Sequence, residues 1–197
     1  MSGQLALGDW APPLNPALSQ WHTPYELAVR MVEWAGVNLN PGMTVLEPSA
    51  GGGSIVHALV AAGADVVAFE IDTAWAHAFK QDPTFKPVIC TVADFLDVPP
   101  QDGAVDLAVM NPPLDGGVGP AHVARALEWA PRVVSVLRGG DLFGVEHHRV
   151  LWSRSYLSGI AWCVRRPVFG GSGAATDFVV VDVRRDDPGT APRLEWW

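Results

Sequence analysis

The chain has 197 residues, 49% of them hydrophobic and 17% charged, and a formal net charge of −8. That describes one ordinary domain with enough apolar residues for a full core, and it excludes a disordered chain and a non-specific nucleic-acid coat. No stretch approaches the roughly 18 consecutive apolar residues of a membrane helix, and the N-terminus lacks the charged start and apolar run of a signal peptide.

Residues 1–20 are rich in proline and small residues and are expected to form an irregular arm, with Trp10 and Leu14 packing it onto the domain. "TPYELAVRMVEWAGV" (23–37) predicts a helix. Thr23 suits its cap, Pro24 its first turn, and Leu27, Met31, Val32 and Trp34 its apolar face; Gly36 stops it. Strand–helix alternation follows: strand 44–48, helix 55–63, strand 65–72, helix 74–81, strand 86–96 and strand 104–113. A long helix is then expected over 120–137, a fifth strand over 141–147, and a closing pair of strands over 160–167 and 176–185. Seven strands in this arrangement predict a mainly parallel α/β sheet with one antiparallel strand and helices on both faces.

Charge is unevenly spread. Residues 1–137 carry 5 bases against 14 acids, whereas residues 138–197 carry 8 bases, all arginine, against 7 acids. Any phosphate contact is therefore expected from the C-terminal third. The two cysteines, Cys90 and Cys163, form no CxxC pair, so reduced thiols, a cytoplasmic location and no metal are expected. His147-His148 alone does not make a metal site.

Four strand ends carry the chemistry. "VLEPSAGGGS" places a glycine-rich turn between a buried strand and a helix, where backbone can approach a ligand closely. It is neither a GxGxxG nor a phosphate loop with Gly-Lys-Ser/Thr, so it suits a cofactor without phosphates. Glu70 ends the second strand, placed to accept hydrogen bonds from a ribose, with Asp72 as the alternative. Asp94-Phe95 follows the third strand, an acid and an aromatic suited to an adenine ring. Asn111-Pro112-Pro113-Leu114 ends the fourth. Its prolines remove two backbone donors and leave the Asn111 carbonyl and the Pro112 backbone carbonyl as acceptors. Such a pair can take both hydrogens of a planar amino group and free its lone pair for attack on an electrophilic methyl, by positioning and electrostatics.

In this order the motifs resemble the class I S-adenosylmethionine-dependent methyltransferases, specifically those that methylate adenine N6 in DNA. The resemblance covers residues 21 to 114. It implies a single Rossmann-like methyltransferase domain over 21–187, a tail over 188–197 and S-adenosyl-L-methionine as cofactor. It implies cofactor contacts from Thr23 in "WHTPYELAVRMV", from Glu47, Pro48, Ala50 and Gly51 in "LEPSAGGG", and from Glu70, Ile71, Asp94, Phe95 and Asn111. It implies Asn111, Pro112, Pro113 and Leu114 as the catalytic tetrad, and DNA as partner. "VRRPVFGGSGAATDFVVVDVRR" resembles the tail of small stand-alone methyltransferases of phages and prophages, and methylation would there protect DNA against restriction.

The chain departs from that pattern twice. No separate target-recognition domain is evident, so low or short sequence specificity is expected, with contacts from two loops that mix arginine and aromatics. These offer His148, Arg149, Trp152 and Arg154 in one and Arg166 and Phe169 in the other. Leu114 also stands where the family has an aromatic that stacks on a flipped adenine; Trp152 or Phe169 is the expected substitute ring. Alternative readings are a methyltransferase acting on RNA or on a protein glutamine amide, and a non-catalytic cofactor-binding subunit of a modification complex.

Overall fold

The computed structural model describes residues 18, 21–81, 83–85, 88–164 and 177–197. Eight strands form one sheet: β1 (Thr44–Glu47), β2 (Asp65–Glu70), β3 (Ile89–Val92), β4 (Leu107–Met110), β5 (Arg132–Arg138), β6 (Tyr156–Trp162), β7 (Phe178–Arg184) and β8 (Arg193–Trp196). Their order is β3-β2-β1-β4-β5-β7-β6-β8. β1 to β5 run parallel to one another, β7 lies antiparallel between β5 and β6, and β8 runs parallel to β6 at the edge. The chain winds outward from β1 through β2 to β3, then returns to β4 on the other side of β1. That reversal opens a crevice at the carboxyl ends of the strands, where doubly wound sheets hold their ligands.

Alternation along the central strands builds two cores. Val45, Leu107 and Val109 face α1 (Tyr25–Ala35) and α2 (Ser54–Ala61), while Leu46, Ala108 and Met110 face the side of α4 (Gly119–Leu127). α3 (Thr73–Gln81) follows β2 and buries Trp75 and Phe79. Gly36 ends α1 in the left-handed region at φ 80°, which L side chains rarely adopt. Among the described residues no helix is long and apolar enough to cross a membrane.

Three sequence expectations need correction. The stretch 120–137 is not one helix. α4 stops at Leu127, and Pro131 separates it from β5, whose Val133, Val134 and Val136 belong to a fully covered strand. The stretch 141–147 is not a strand. It forms a turn that ends at Leu142 and a short helical run beginning at Val145, with Gly144 at φ 100° breaking the extended path between them. Thr23 is not the cap of α1. Pro24 holds that place with an extended ψ of 135°, and its carbonyl receives the first helical bond from Ala28 N at 3.0 Å.

The eighth strand lies in the stretch expected to be a tail, and it ties the end of the chain to α1. One carboxylate oxygen of Glu195 accepts the Trp34 indole N–H at 2.9 Å and the other accepts that of Trp197 at 2.8 Å. The Arg193 guanidinium covers the Trp34 ring at 4.3 Å, and that of Arg30 covers Trp197 at 4.5 Å. Arg132 adds a bidentate pair to buried Asp182, at 2.9 and 2.8 Å, and donates to the Ala35 carbonyl.

Candidate active site

The crevice at the β1/β4 reversal holds a cavity of about 310 Å³, within the range of roughly 300–1,000 Å³ common for small-molecule sites. Four chain segments meet there, as the four strand ends predict. Pro48, Ser49 and Gly51 come from the turn after β1, and Glu70 and Ile71 from the end of β2. Asp94 and Phe95 follow β3, and Asn111, Pro112 and Pro113 follow β4.

Glu70 is 5% exposed, and both its oxygens are engaged: Oε2 accepts Gly51 N at 2.6 Å and Oε1 accepts Asp72 N at 2.8 Å. These bonds fix the carboxylate against the glycine turn and leave each oxygen a second lone pair. Burial raises its pKa, opposed by those N–H donors. Glu47 lies deeper, at 1% exposure, behind the cavity lining. Its Oε1 accepts Ser49 N at 2.9 Å, whereas Oε2 is buried without a partner. Burial, with a smaller contribution from the Glu70 charge, pushes its pKa up to about 8 against the pull of the Ser49 N–H.

Asn111 is 8% exposed. Its Nδ2 donates to the Trp21 carbonyl at 2.9 Å, so its Oδ1 is the free acceptor, buried without a partner. Asp94 caps the turn Phe95–Asp97 by accepting Leu96 N at 3.0 Å. Phe95 is 2% exposed and packs its ring against Phe69 and Trp129, so it reaches the cavity as part of the second core.

Other expected residues lie elsewhere. Thr23 and Ala50 are buried beside the cavity without lining it. Leu114 does not line it either. At 5% exposure it packs into the core beneath α1 and α2, so the place expected to hold a base serves packing instead. Trp152 donates its indole N–H to the Asp141 carbonyl at 3.1 Å and packs on the second core, away from the cavity. Arg149 and Arg154 line a second groove of about 320 Å³ with Arg125 and Glu128, and Leu96 borders both spaces. Arg149 pairs with Glu146, and His148 is exposed. Arg166 and Phe169 lie outside the described residues, as do Trp10 and Leu14.

Several lining residues were given no role from the sequence: Leu18, Trp21, His22, Val118 and His122. His22 meets Trp75 edge-on at 4.7 Å and has its Nε2 buried without a partner; burial lowers its pKa. A Cβ on Gly52 would collide with this imidazole, so that glycine makes room for a histidine. His122 lies 3.1 Å from the Val118 carbonyl through Nδ1. A carbonyl only accepts, so Nδ1 carries the proton and Nε2 is left as an acceptor. Burial lowers the His122 pKa and favours this neutral form. Trp21 and His22 open the Thr-Pro segment, whose resemblance placed only Thr23 near a ligand. Nothing in the sequence pattern distinguished His122 from the other residues of α4.

No family model matches the chain, and no curated protein matches it. Solved structures do. A candidate RNA methyltransferase from Pyrococcus horikoshii superposes with a TM-score of 0.70 at 17% identity, covering 89% of this chain and 92% of its own. A candidate class I S-adenosylmethionine-dependent methyltransferase from Listeria monocytogenes gives 0.71 at 8% identity, covering 93% and 67%. The 23S rRNA methyltransferase ErmE gives 0.61 at 20% identity, covering 82% and 68%. At these identities the likeness is one of architecture, and the sheet has the Rossmann-like methyltransferase fold.

Proposed function

We propose that this protein is an S-adenosyl-L-methionine-dependent methyltransferase that modifies the N6 amino group of adenine in DNA, with low or short sequence specificity. The observation that carries the reading is the buried, unpartnered Oδ1 of Asn111 at the wall of a cavity it shares with Glu70 and Asp94. A buried acceptor without a partner is costly, and an amino N–H is the group it suits.

The donor set fits the cofactor. Glu70 offers lone pairs to a ribose, Asp94 an acceptor for an exocyclic amine, and the turn through Gly51 close backbone approach. Glu47 stands behind this lining and steadies the turn by accepting Ser49 N, so it backs the site without reaching the cavity. When bound, S-adenosyl-L-methionine supplies an electrophilic methyl group on a sulfonium. The chain itself orients the amine. Asn111 Oδ1 and the Pro112 carbonyl accept its two hydrogens, and the Trp21 carbonyl keeps the Asn111 amide from turning over. Asn111 is uncharged and holds the amine without taking its proton; the C–S bond of the sulfonium would break as the N–C bond forms, and the proton displaced from nitrogen would pass to solvent.

RNA is the second reading, favoured by architectural likeness to a candidate RNA methyltransferase and an rRNA methyltransferase. The test is incubation with radiolabelled cofactor and a panel of duplex DNA, single-stranded DNA, RNA and protein, followed by nucleoside analysis. Label in N6-methyladenine of DNA supports the proposal. Label only in RNA replaces DNA by RNA, and label only in protein overturns the assignment to nucleic acid.

A further inference from the structure

Among the described residues, the two most exposed large apolar side chains are Val145 at 88% and Phe143 at 73%. They stand two positions apart on one tip, on either side of Gly144 at φ 100°. The tip follows β5 at the carboxyl edge of the sheet, the edge that carries the cavity. It is firmly built. Asp141 accepts the Arg138 backbone N–H at 3.0 Å and pairs with the Arg138 guanidinium, the Asp141 carbonyl holds the Trp152 indole, and Leu142 packs on the second core. His147 turns back to contact the Phe143 carbonyl through Nδ1 at 2.9 Å.

The tip also abuts the segment that leaves the active site. A Cβ on Gly117 would stand 3.3 Å from His147 Nε2, so the tip lies against the turn Asp115–Gly117 just after Asn111–Leu114. Exposed His148 and Arg149 follow on the next turn, and Arg149 and Arg154 line the groove that shares Leu96 with the cavity. Single exposed apolar residues are ordinary. Two of them on a rigid tip, at the mouth of a site and beside exposed bases, have the composition that holds unstacked nucleic acid: an apolar face for a base and cations for the backbone. Arg149 pairs with Glu146 and Arg125 with Glu128, so the three arginines Arg125, Arg149 and Arg154 meet two glutamates and leave a local positive excess in a chain of net charge −8, the part suited to a polyanion. Leu114, sunk in the core, offers no such face.

We infer that Phe143 and Val145 form an apolar tip that packs against a base of the nucleic-acid substrate at the mouth of the active site. This rests on the proposed activity on nucleic acid. The test compares the wild type with Phe143→Ser/Val145→Ser and with Phe143→Trp. It uses a labelled DNA oligonucleotide, single-stranded and duplex, with 2-aminopurine beside an adenine. Losing one base stack should raise the Kd for the oligonucleotide about tenfold or more. The double variant should also lose the 2-aminopurine fluorescence change on binding, with cofactor Kd and melting temperature unchanged, while Phe143→Trp keeps both signals. If the wild type methylates DNA and the double variant binds it unchanged, the tip inference falls and the activity stands. If the double variant instead only dissociates a self-associated wild type in sedimentation, the tip is a contact between copies and the inference is overturned. A wild type that labels no nucleic acid removes the activity and the inference together.

Discussion

The Asn111 side chain donates from Nδ2 to the backbone carbonyl of Trp21 at 2.9 Å, joining two points of the chain 90 residues apart. This bond gives the amide a single useful orientation. Turned over, it would set its Oδ1 against another carbonyl oxygen; as it stands, the acceptor is left for a ligand.

Asn111→Ala removes that acceptor and should lower methyl transfer by about a hundredfold to a thousandfold, the loss typical of one preorganised group aimed at a reacting centre. Cofactor Kd, measured by calorimetry, should change little, because Glu70 and Asp94 are untouched. Asn111→Asp cannot donate to the Trp21 carbonyl and sets a carboxylate against it, so it should lose activity too.

Leu114→Ala should destabilise the fold by about 2–5 kcal/mol, as for other buried leucines, in a denaturant titration. Leu114→Tyr, which would place there the aromatic of the family the sequence resembles, should also lower the melting temperature, since the side chain is buried in the core beneath α1 and α2. A Leu114→Tyr protein that melts as the wild type does and binds a flipped adenine more tightly would show that this position faces the substrate.

Glu47 gives the ligand-free protein a pH dependence of known sign. Its folded pKa of about 8 lies above the ordinary 4.5. Between those values the folded carboxyl keeps a proton that the unfolded chain releases, so its contribution to stability is fully present below the lower value and is lost as pH rises to the upper one. Glu47→Gln should flatten the fall in melting temperature across this window, and thermal scans of both proteins through it provide the check.

Gly52→Ala should weaken cofactor binding about tenfold or more, a loss of about 1.4 kcal/mol, because the added methyl collides with His22 in the cavity wall. His22→Ala should relieve the collision. The double variant should therefore bind more tightly than Gly52→Ala alone, and calorimetry on the four proteins of the cycle measures the coupling.

The central strands and the strand-end motifs were legible because each is a local pattern: a buried β run, then a glycine turn, an acid or Asn-Pro-Pro. The 120–137 stretch was not, because α4 and β5 are both apolar and joined by a turn at Pro131 too short to read as a loop. β8 has only four residues, and its pairing with β6 is invisible in sequence. The Trp21 carbonyl was beyond reach for a different reason. A backbone atom has no side-chain signature, and only the packing of α1 against the sheet brings it to Asn111.

That packing makes α1 an arm held at both ends. Near its start, Trp21 meets Asn111; at its far end, Trp34 is gripped by Glu195 in the last five residues. The orientation of the Asn111 amide is thus borne in part by β8. Pulling Glu195 away from Trp34 would therefore loosen the helix whose leading segment fixes the Asn111 amide, at a distance from the cavity itself.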